Sequence, residues 1–300
     1  MNDTLSGFVS IVGRPNVGKS TILNRLIGEK ISIVSDKPQT TRTNIIGIYT
    51  ENNAQIVFID TPGIQSPKNK LGEFMSKEAD NSVKDTDLII CVTDTSNYIG
   101  KKDKKIISDL EQIKNIPKIL VINKIDTILR ENVLPLIKMY NDTKIFEEII
   151  PLSAKTGSNM QELINVIIPY LKNEPWYYPD DAITDAPIKS IVSEIIREKV
   201  LMYTTEEIPH GIMVIINSMH RRKDNVTDIA AIIYCEKESH KSILIGKGAH
   251  KIKGIGMSAR KDIETLIQTP VNLKLVVRVK HNWRDNERLI KNFGFDKKEF

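Results

Sequence analysis

The chain opens with apolar runs and amphipathic stretches in alternation. Phe8 to Val12, Ile56 to Ile59, Ile119 to Ile122 and Ile149 to Leu152 are dominated by apolar residues, the pattern of strands buried on both faces of a parallel sheet. Thr21 to Ile27 is helical in spacing: Ile22, Leu23, Leu26 and Ile27 share a face, and Gly28 can end the helix. Another helix is expected over Asn159 to Leu171. Past residue 186 the pattern changes. Ile188, Ile191, Val192, Ile195, Ile196 and Val200 form one helical stripe, Gly211 to Asn217 and Asp228 to Cys235 read as strands, and Ser239 to Leu244 as a short helix. Ile252, Ile255, Ala259, Ile263 and Leu266 predict a longer helix. Val271, Leu273, Leu275, Val277 and Val279 then alternate as a strand, with Lys274 and Arg278 on its other face. Lys172 to Asp181 carries prolines, aromatics and acids without periodicity and reads as a linker. The expected organisation is residues 1–172, a linker over 173–186, and residues 187–300. The first part is an α/β domain with a mostly parallel sheet and helices on both faces, the second a smaller α+β domain. Trp176, Tyr177 and Tyr178 are expected to anchor a domain interface.

Between the first apolar run and the first helix stands Gly13-Arg14-Pro15-Asn16-Val17-Gly18-Lys19-Ser20, followed by Thr21. Glycines at both ends let backbone N–H groups wrap an anion, and the helix beginning near Lys19 aims its partial positive end at the same point. A triphosphate fits, with Lys19 reaching the outer phosphates and the Ser20 hydroxyl placed to ligate Mg²⁺. The base is indicated by Asn123-Lys124-Ile125-Asp126, at the carboxyl end of a strand-like run. A carboxylate only accepts hydrogen bonds, so Asp126 can receive the N1–H and NH₂ of guanine, whereas adenine would offer it an acceptor. Asn123 would brace the loop, the Lys124 stem can cover the base plane, and Ser153-Ala154-Lys155 offers backbone N–H groups to the guanine oxygen. Asp60-Thr61-Pro62-Gly63 supplies a carboxylate for Mg²⁺, expected to act through a water, and a Gly63 amide that can sense a γ-phosphate. Upstream, Gln39-Thr40-Thr41-Arg42 offers the remaining metal hydroxyl, and Thr41 is chosen over Thr40.

These five elements in this order resemble the translation-factor-like class of P-loop GTPases over about residues 6 to 170. The resemblance implies GTP hydrolysis to GDP and phosphate, coupled to two loops that order around Mg²⁺·GTP and release after cleavage. The loops would be about Ser35 to Asn44 and Thr61 to Met75. Lys19, Thr41 and Gly63 take the catalytic roles. Ile64 stands where small signalling GTPases carry a water-orienting glutamine, so slow intrinsic turnover that a partner can raise is expected. Asn16 suggests a potassium ion held against the phosphates; its alternative role is simply to brace the loop.

Three hundred residues at 40% apolar suffice for two cores. Neither a signal peptide nor an apolar stretch of about eighteen residues occurs, and the expectation is a soluble cytoplasmic monomer. Cys91 and Cys235 lie in separate strand-like runs and are expected as buried thiols; the five histidines show no ligand spacing. Residues 1–180 balance 22 Lys and Arg against 22 Asp and Glu, so the whole net charge of +5 falls in the second part. From Lys241 to Lys261 there are six cations and no carboxylate, a local field that suits an acidic partner better than an ordinary solvated face does.

Helix, strand, strand, helix, helix, strand, with Gly246-Lys247-Gly248-Ala249 between the two middle helices, resembles a KH domain of the type that begins with a helix. Such a loop clamps about four single-stranded nucleotides. The resemblance makes Gly246, Lys247, Gly248, Ala249, Lys251, Lys253, Arg260 and Lys261 the RNA-binding candidates. Ala249 replaces the second loop glycine; it permits close approach of a phosphate if its φ is negative. Nearly the whole chain resembles the Era family of bacterial GTPases, on the octet at 13 to 20, on Pro38-Gln39-Thr40-Thr41-Arg42 and on Trp283-Arg284. This implies binding near the 3′ end of 16S ribosomal RNA during small (30S) subunit assembly and rRNA processing, with peripheral association at the cytoplasmic membrane. The alternative is a membrane-associated signalling or cell-cycle GTPase whose basic domain docks on protein or anionic lipid.

Overall fold

Strand β1 (Leu5–Gly13) is the axis of the first sheet, pairing in parallel with β3 (Ala54–Asp60) on one side and β4 (Leu88–Thr93) on the other. The structure, a computed structural model, describes residues 4–35, 37, 40–63, 67, 69–204 and 208–295. By its contacts the chain divides into two units: Met1–Val34, Thr41–Ser66 and Met75–Asp185 form one, and Ser35–Thr40, Pro67–Phe74 and Ala186–Phe300 the other.

In the first unit β2 (Ile45–Glu51) runs antiparallel to β3, while β5 (Lys118–Ile122) and β6 (Glu148–Pro151) extend the sheet in parallel, giving the order β2-β3-β1-β4-β5-β6. All residues of β4 and β5 are buried, as continuous apolar runs require. Helices α1 (Lys19–Ile27), α2 (Lys70–Asn81), α3 (Lys101–Glu111) and α4 (Val133–Asn141) connect these strands, and α5 (Met160–Ile167) follows the last of them. One apolar cluster joins Ile22, Leu23, Leu163 and Ile167 to one face of the sheet, and another joins Ile106, Leu110, Leu136 and Tyr140 to the opposite face. Gly28 ends α1 in the left-handed region, its N–H donating to Asn24 O. Because parallel strands present their carboxyl ends on one edge, the loops after β1, β3, β5 and β6 converge there.

The expected linker over 173–186 is not a free spacer: as far as Asp185 it is packed on the first unit. The buried Gln55 side chain accepts from the Tyr177 and Tyr178 amides at 2.9 and 3.0 Å and donates to Tyr178 O at 2.9 Å. Tyr177 packs on Phe8 with ring centroids 4.7 Å apart, and Ile48 N donates to Ile183 O. A segment without apolar periodicity is thus held by backbone bonds and one buried amide, a signal that composition does not carry.

The second unit is built on α6 (Ile188–Met202), β7 (Met213–Arg221), β8 (Thr227–Cys235), α7 (Glu238–Ile245), α8 (His250–Ile267) and β9 (Val271–Val279). Its sheet has the order β7-β8-β9, antiparallel then parallel. Ile255, Ala259 and Ile263 at fourfold spacing bury one face of α8 against Val192, Ile195, Ile196 and the sheet. A short helix, α9 (Glu287–Asn292), was not expected from the sequence. Before it Trp283 is fully buried and donates Nε1–H to Gly211 O at 2.9 Å, and Arg284 pairs with Glu236 at 2.6 Å. This unit also holds the segments 35–40 and 67–74. The buried Arg197 guanidinium donates to Thr40 O and pairs with Glu194, and Lys70 pairs with Glu287 at 3.2 Å.

Candidate functional site

The phosphate loop follows from the turn that β1 must make to enter α1. Gly18 lies at φ 100°, and a Cβ there would fall 2.3 Å from Asn123 Nδ2. Only glycine satisfies both demands. Asn123 is almost fully buried; it donates to Val17 O at 2.8 Å and accepts from the Lys124 and Ala154 amides at 2.8 and 3.0 Å. One side chain therefore braces the phosphate loop and both base loops. Lys124, left-handed at φ 68°, sends its ammonium to Asn16 O at 2.7 Å, so its stem bridges from the base loop to the phosphate loop. Asp126 is exposed, with Oδ1 accepting from the Ser153 hydroxyl at 2.6 Å.

Three hydroxyls converge on Asp60 Oδ2: Ser20 at 2.7 Å, Ser32 at 3.2 Å and Thr41 at 3.5 Å, with Ser20 and Thr41 themselves 3.1 Å apart. Thr40 instead donates to Lys37 O at 2.6 Å, so Thr41 is the threonine brought to the carboxylate. Asp60 is buried and its Oδ1 has no hydrogen-bond partner among the described residues. Burial pushes this carboxyl above the ordinary carboxylate range, against the pull of Lys19 and the hydroxyl donors. A buried orphan carboxylate oxygen beside two hydroxyls is a donor set for a hard divalent cation, and Mg²⁺ fits it. Ser20 and Thr41 would supply hydroxyls and Asp60 the charge. Lys19 donates to Gly13 O at 3.1 Å, and burial holds its ammonium pKa below the usual value.

Ser32 escaped the sequence reading. Its backbone N–H donates to Asn24 Oδ1 at 2.8 Å and its carbonyl accepts from Asn24 Nδ2 at 2.6 Å, so a residue on α1 fixes the hydroxyl that reaches Asp60. No motif flags a lone serine in a loop; the partner twenty-eight residues away defines it. Other expectations are modified. The Arg14 guanidinium is turned to Asp94 and, at 3.2 Å, to Asp103. Thr61 turns its hydroxyl to Ile11 O at 2.9 Å, bracing β1. Of the base loop, the Ser153 and Ala154 amides are engaged by Ser158 O and Asn123, while the Lys155 amide has no hydrogen bond among the described residues. Thr21, with Asn24, Arg25, Ala154 and Lys155, borders a hollow of about 520 Å³ beside the base loops. Val17 is buried, Pro15 borders Gly63, and Gly63 is half-buried after β3. Pro38, Gln39 and Ile64 lie outside the described residues.

In the second unit Gly246 to Ala249 form a tight turn into α8. Ala249 has φ 60° and ψ 22°, so the condition of a negative φ is not met: an L residue occupies the left-handed conformation a glycine would adopt freely. Lys247 is exposed at the loop tip, and the Lys251 Cβ lies against Gly246. Lys253 and Arg260 line a groove of about 390 Å³ between α8 and β9. Ile252, Gly256, Leu273 and Leu275 line its apolar side, with the exposed Met257 beside them.

A site that favours guanine, set on the carboxyl edge of a mostly parallel sheet and followed by a unit of this topology, defines a P-loop GTPase joined to a KH domain. Residues 8–124 match the family model of 50S ribosome-binding GTPases, and residues 207–284 match that of KH domains. GTPase Era of Clostridioides difficile (strain 630) is 55% identical over 98% of this chain and 99% of its own length, and GTPase Era of Alkaliphilus oremlandii (strain OhILAs) is 52% identical over 97% and 99%. A crystal structure of a variant of Aquifex aeolicus Era bound to GDP·AlF₄⁻ superposes with TM-score 0.93 at 40% identity, covering 97% of this chain and 99% of that one. The chain belongs to the Era family of GTPases. A further Era structure, with the same TM-score and identity, is a complex with MgGDPNP and nucleotides 1506–1542 of 16S ribosomal RNA.

Proposed function

We propose that this chain is a Mg²⁺-dependent GTPase whose nucleotide state sets the grip of its second unit on the 3′ region of 16S ribosomal RNA during small-subunit assembly. The two units act as the nucleotide and RNA domains. Asp126 selects guanine, Lys19 and the loop amides take the phosphates, and Ser20, Thr41 and Asp60 hold the metal, whose charge neutralises the phosphates during transfer. The Gly246–Ala249 loop and the groove beside α8 take single-stranded RNA.

The observation that carries the coupling is the composition of the second unit. Segments 35–40 and 67–74 belong to it by contact; the first adjoins Thr41 in sequence, and the second begins four residues after Gly63. A nucleotide that repositions Thr41 or Gly63 pulls directly on chain that packs with the RNA unit. RNA affinity compared in GDP and in a non-hydrolysable GTP analogue tests this. Coupling of about 1–3 kcal/mol is expected for a switch, with affinity falling steeply as salt rises. Equal affinity in the two states refutes the coupling, and unchanged binding by Lys247→Glu combined with Lys251→Glu refutes the RNA surface.

Asn16, left-handed at φ 68° in the phosphate loop, is assigned to a potassium ion beside the phosphates. Turnover is then faster in potassium than in sodium at matched ionic strength, and equal rates remove the assignment. Under this reading the protein works as a monomer in the cytoplasm, and any membrane association is peripheral. Among the described residues no helix is long and apolar enough to cross a membrane.

A further inference from the structure

Helix α8 has two accessible flanks, and the groove uses one of them. On the other, Lys251, Gly254, Ser258 and Lys261 fall at i, i+3, i+7 and i+10, a single stripe along the helix. Tyr203, just after α6, lies across the middle of that stripe. A Cβ at residue 254 would come 3.0 Å from Tyr203 Cε1, so the ring rests where Gly254 leaves room, and its hydroxyl is 3.3 Å from Ser258 Oγ. Tyr203 nevertheless remains 40% exposed. Among the described residues, Asp262 is engaged by Lys199 at 2.6 Å, and Glu264 by the Val271 amide at 2.9 Å and by Arg260. Lys251 and Lys261 have no ionic partner among the described residues. A partly exposed aromatic ring on the same helix flank as two lysines without ionic partners among the described residues, one of them beside the phosphate-clamping loop, is the combination by which a single-stranded nucleic acid is held without sequence preference.

We propose that this flank is a second contact for the same RNA strand. It rests on the RNA reading above and extends it. After the Gly246–Ala249 loop the strand turns over the amino end of α8 and stacks a base on Tyr203, with Lys251 and Lys261 on phosphates to either side. Ten helical residues separate the lysines by about 15 Å, room for a short run of nucleotides. The loop itself clamps only about four nucleotides, while the RNA in the Era complex spans 1506–1542, so a longer strand has length to spare for this flank.

The test measures the full-length protein against two probes, an RNA of nucleotides 1506–1542 and pentanucleotides cut from it, the latter by competition. Tyr203→Ala is expected to lose roughly tenfold on the long RNA and less than twofold on the short ones, while Tyr203→Phe keeps wild-type affinity for both. Lys261→Gln is expected to lower the salt slope on the long RNA by about 0.7. Equal losses on both lengths would reduce Tyr203 to a prop for α8 and overturn the proposal, as would no loss on either or an unchanged slope. Weakened binding to anionic vesicles with RNA binding intact would assign the flank to a membrane and overturn it too. If the wild-type protein binds neither RNA, the RNA reading fails first, and this inference with it.

Discussion

Replacing Ala249 by glycine should stabilise the second unit. Ala249 sits at φ 60° and ψ 22°, where an L residue costs about 1–2 kcal/mol relative to glycine. Glycine gains freedom in the unfolded chain, which offsets about 0.4–1 kcal/mol. The expected net gain is about 0.5–1 kcal/mol. The neighbouring position supplies the reverse experiment. Gly248 has nearly the same backbone, φ 59° and ψ 25°, and a Cβ there would meet nothing within 4 Å. Gly248→Ala therefore introduces backbone strain without a clash, and should cost a similar amount. Urea unfolding followed by the buried Trp283, in a Trp176→Phe background, reports the second unit without the first. If Ala249→Gly is destabilising, or both substitutions leave the transition where it was, the left-handed turn into α8 is wrong. The loop should also admit a phosphate more closely once its Cβ is gone, so tighter RNA binding by Ala249→Gly is expected alongside.

Three other outcomes follow from the nucleotide unit and the thiols. Asp60 is held above its ordinary value of 3.8 by burial, so the folded state binds its proton more tightly than the unfolded one and loses stability as pH rises past that value. In EDTA the stability of Asp60→Asn relative to wild type should therefore grow with pH, and Mg²⁺ should reverse the order; a difference that is flat with pH refutes the buried charge. Ser32→Ala removes one of the hydroxyls on Asp60 and should weaken Mg²⁺ by about tenfold, read as a shifted metal titration of release of a fluorescent GDP analogue; an unshifted midpoint denies Ser32 its role. Burial pushes Cys91 to about 12 and Cys235 to about 11, so neither should react with a thiol reagent at pH 8 until denaturant is added. Rapid labelling of the native protein would contradict the placement of β4 or β8.

The sequence alone determined the parts whose meaning is local. A phosphate loop is eight consecutive residues whose backbone is the ligand, so Gly13 to Ser20 announce it. Asn123 to Asp126 announce the base in the same way, and unbroken apolar runs announced the buried strands they lead from. Periodicity over nine or more residues likewise exposed α6, α8 and β9, and with them the second domain. The tertiary structure decided everything that depends on which residue is near which. It gave Ser32 to Asp60 through Asn24, turned Arg14 to Asp94 and Asp103, and docked residues 173–185 on Gln55. It also placed Ala249 in the left-handed region and laid Tyr203 over Gly254. Hydrogen bonds and ion pairs act over about 3 Å in space and are blind to separation along the chain, so no spacing rule records them. A motif is legible because its chemistry lies within one turn of backbone, whereas a site assembled across a hundred residues is legible only after folding.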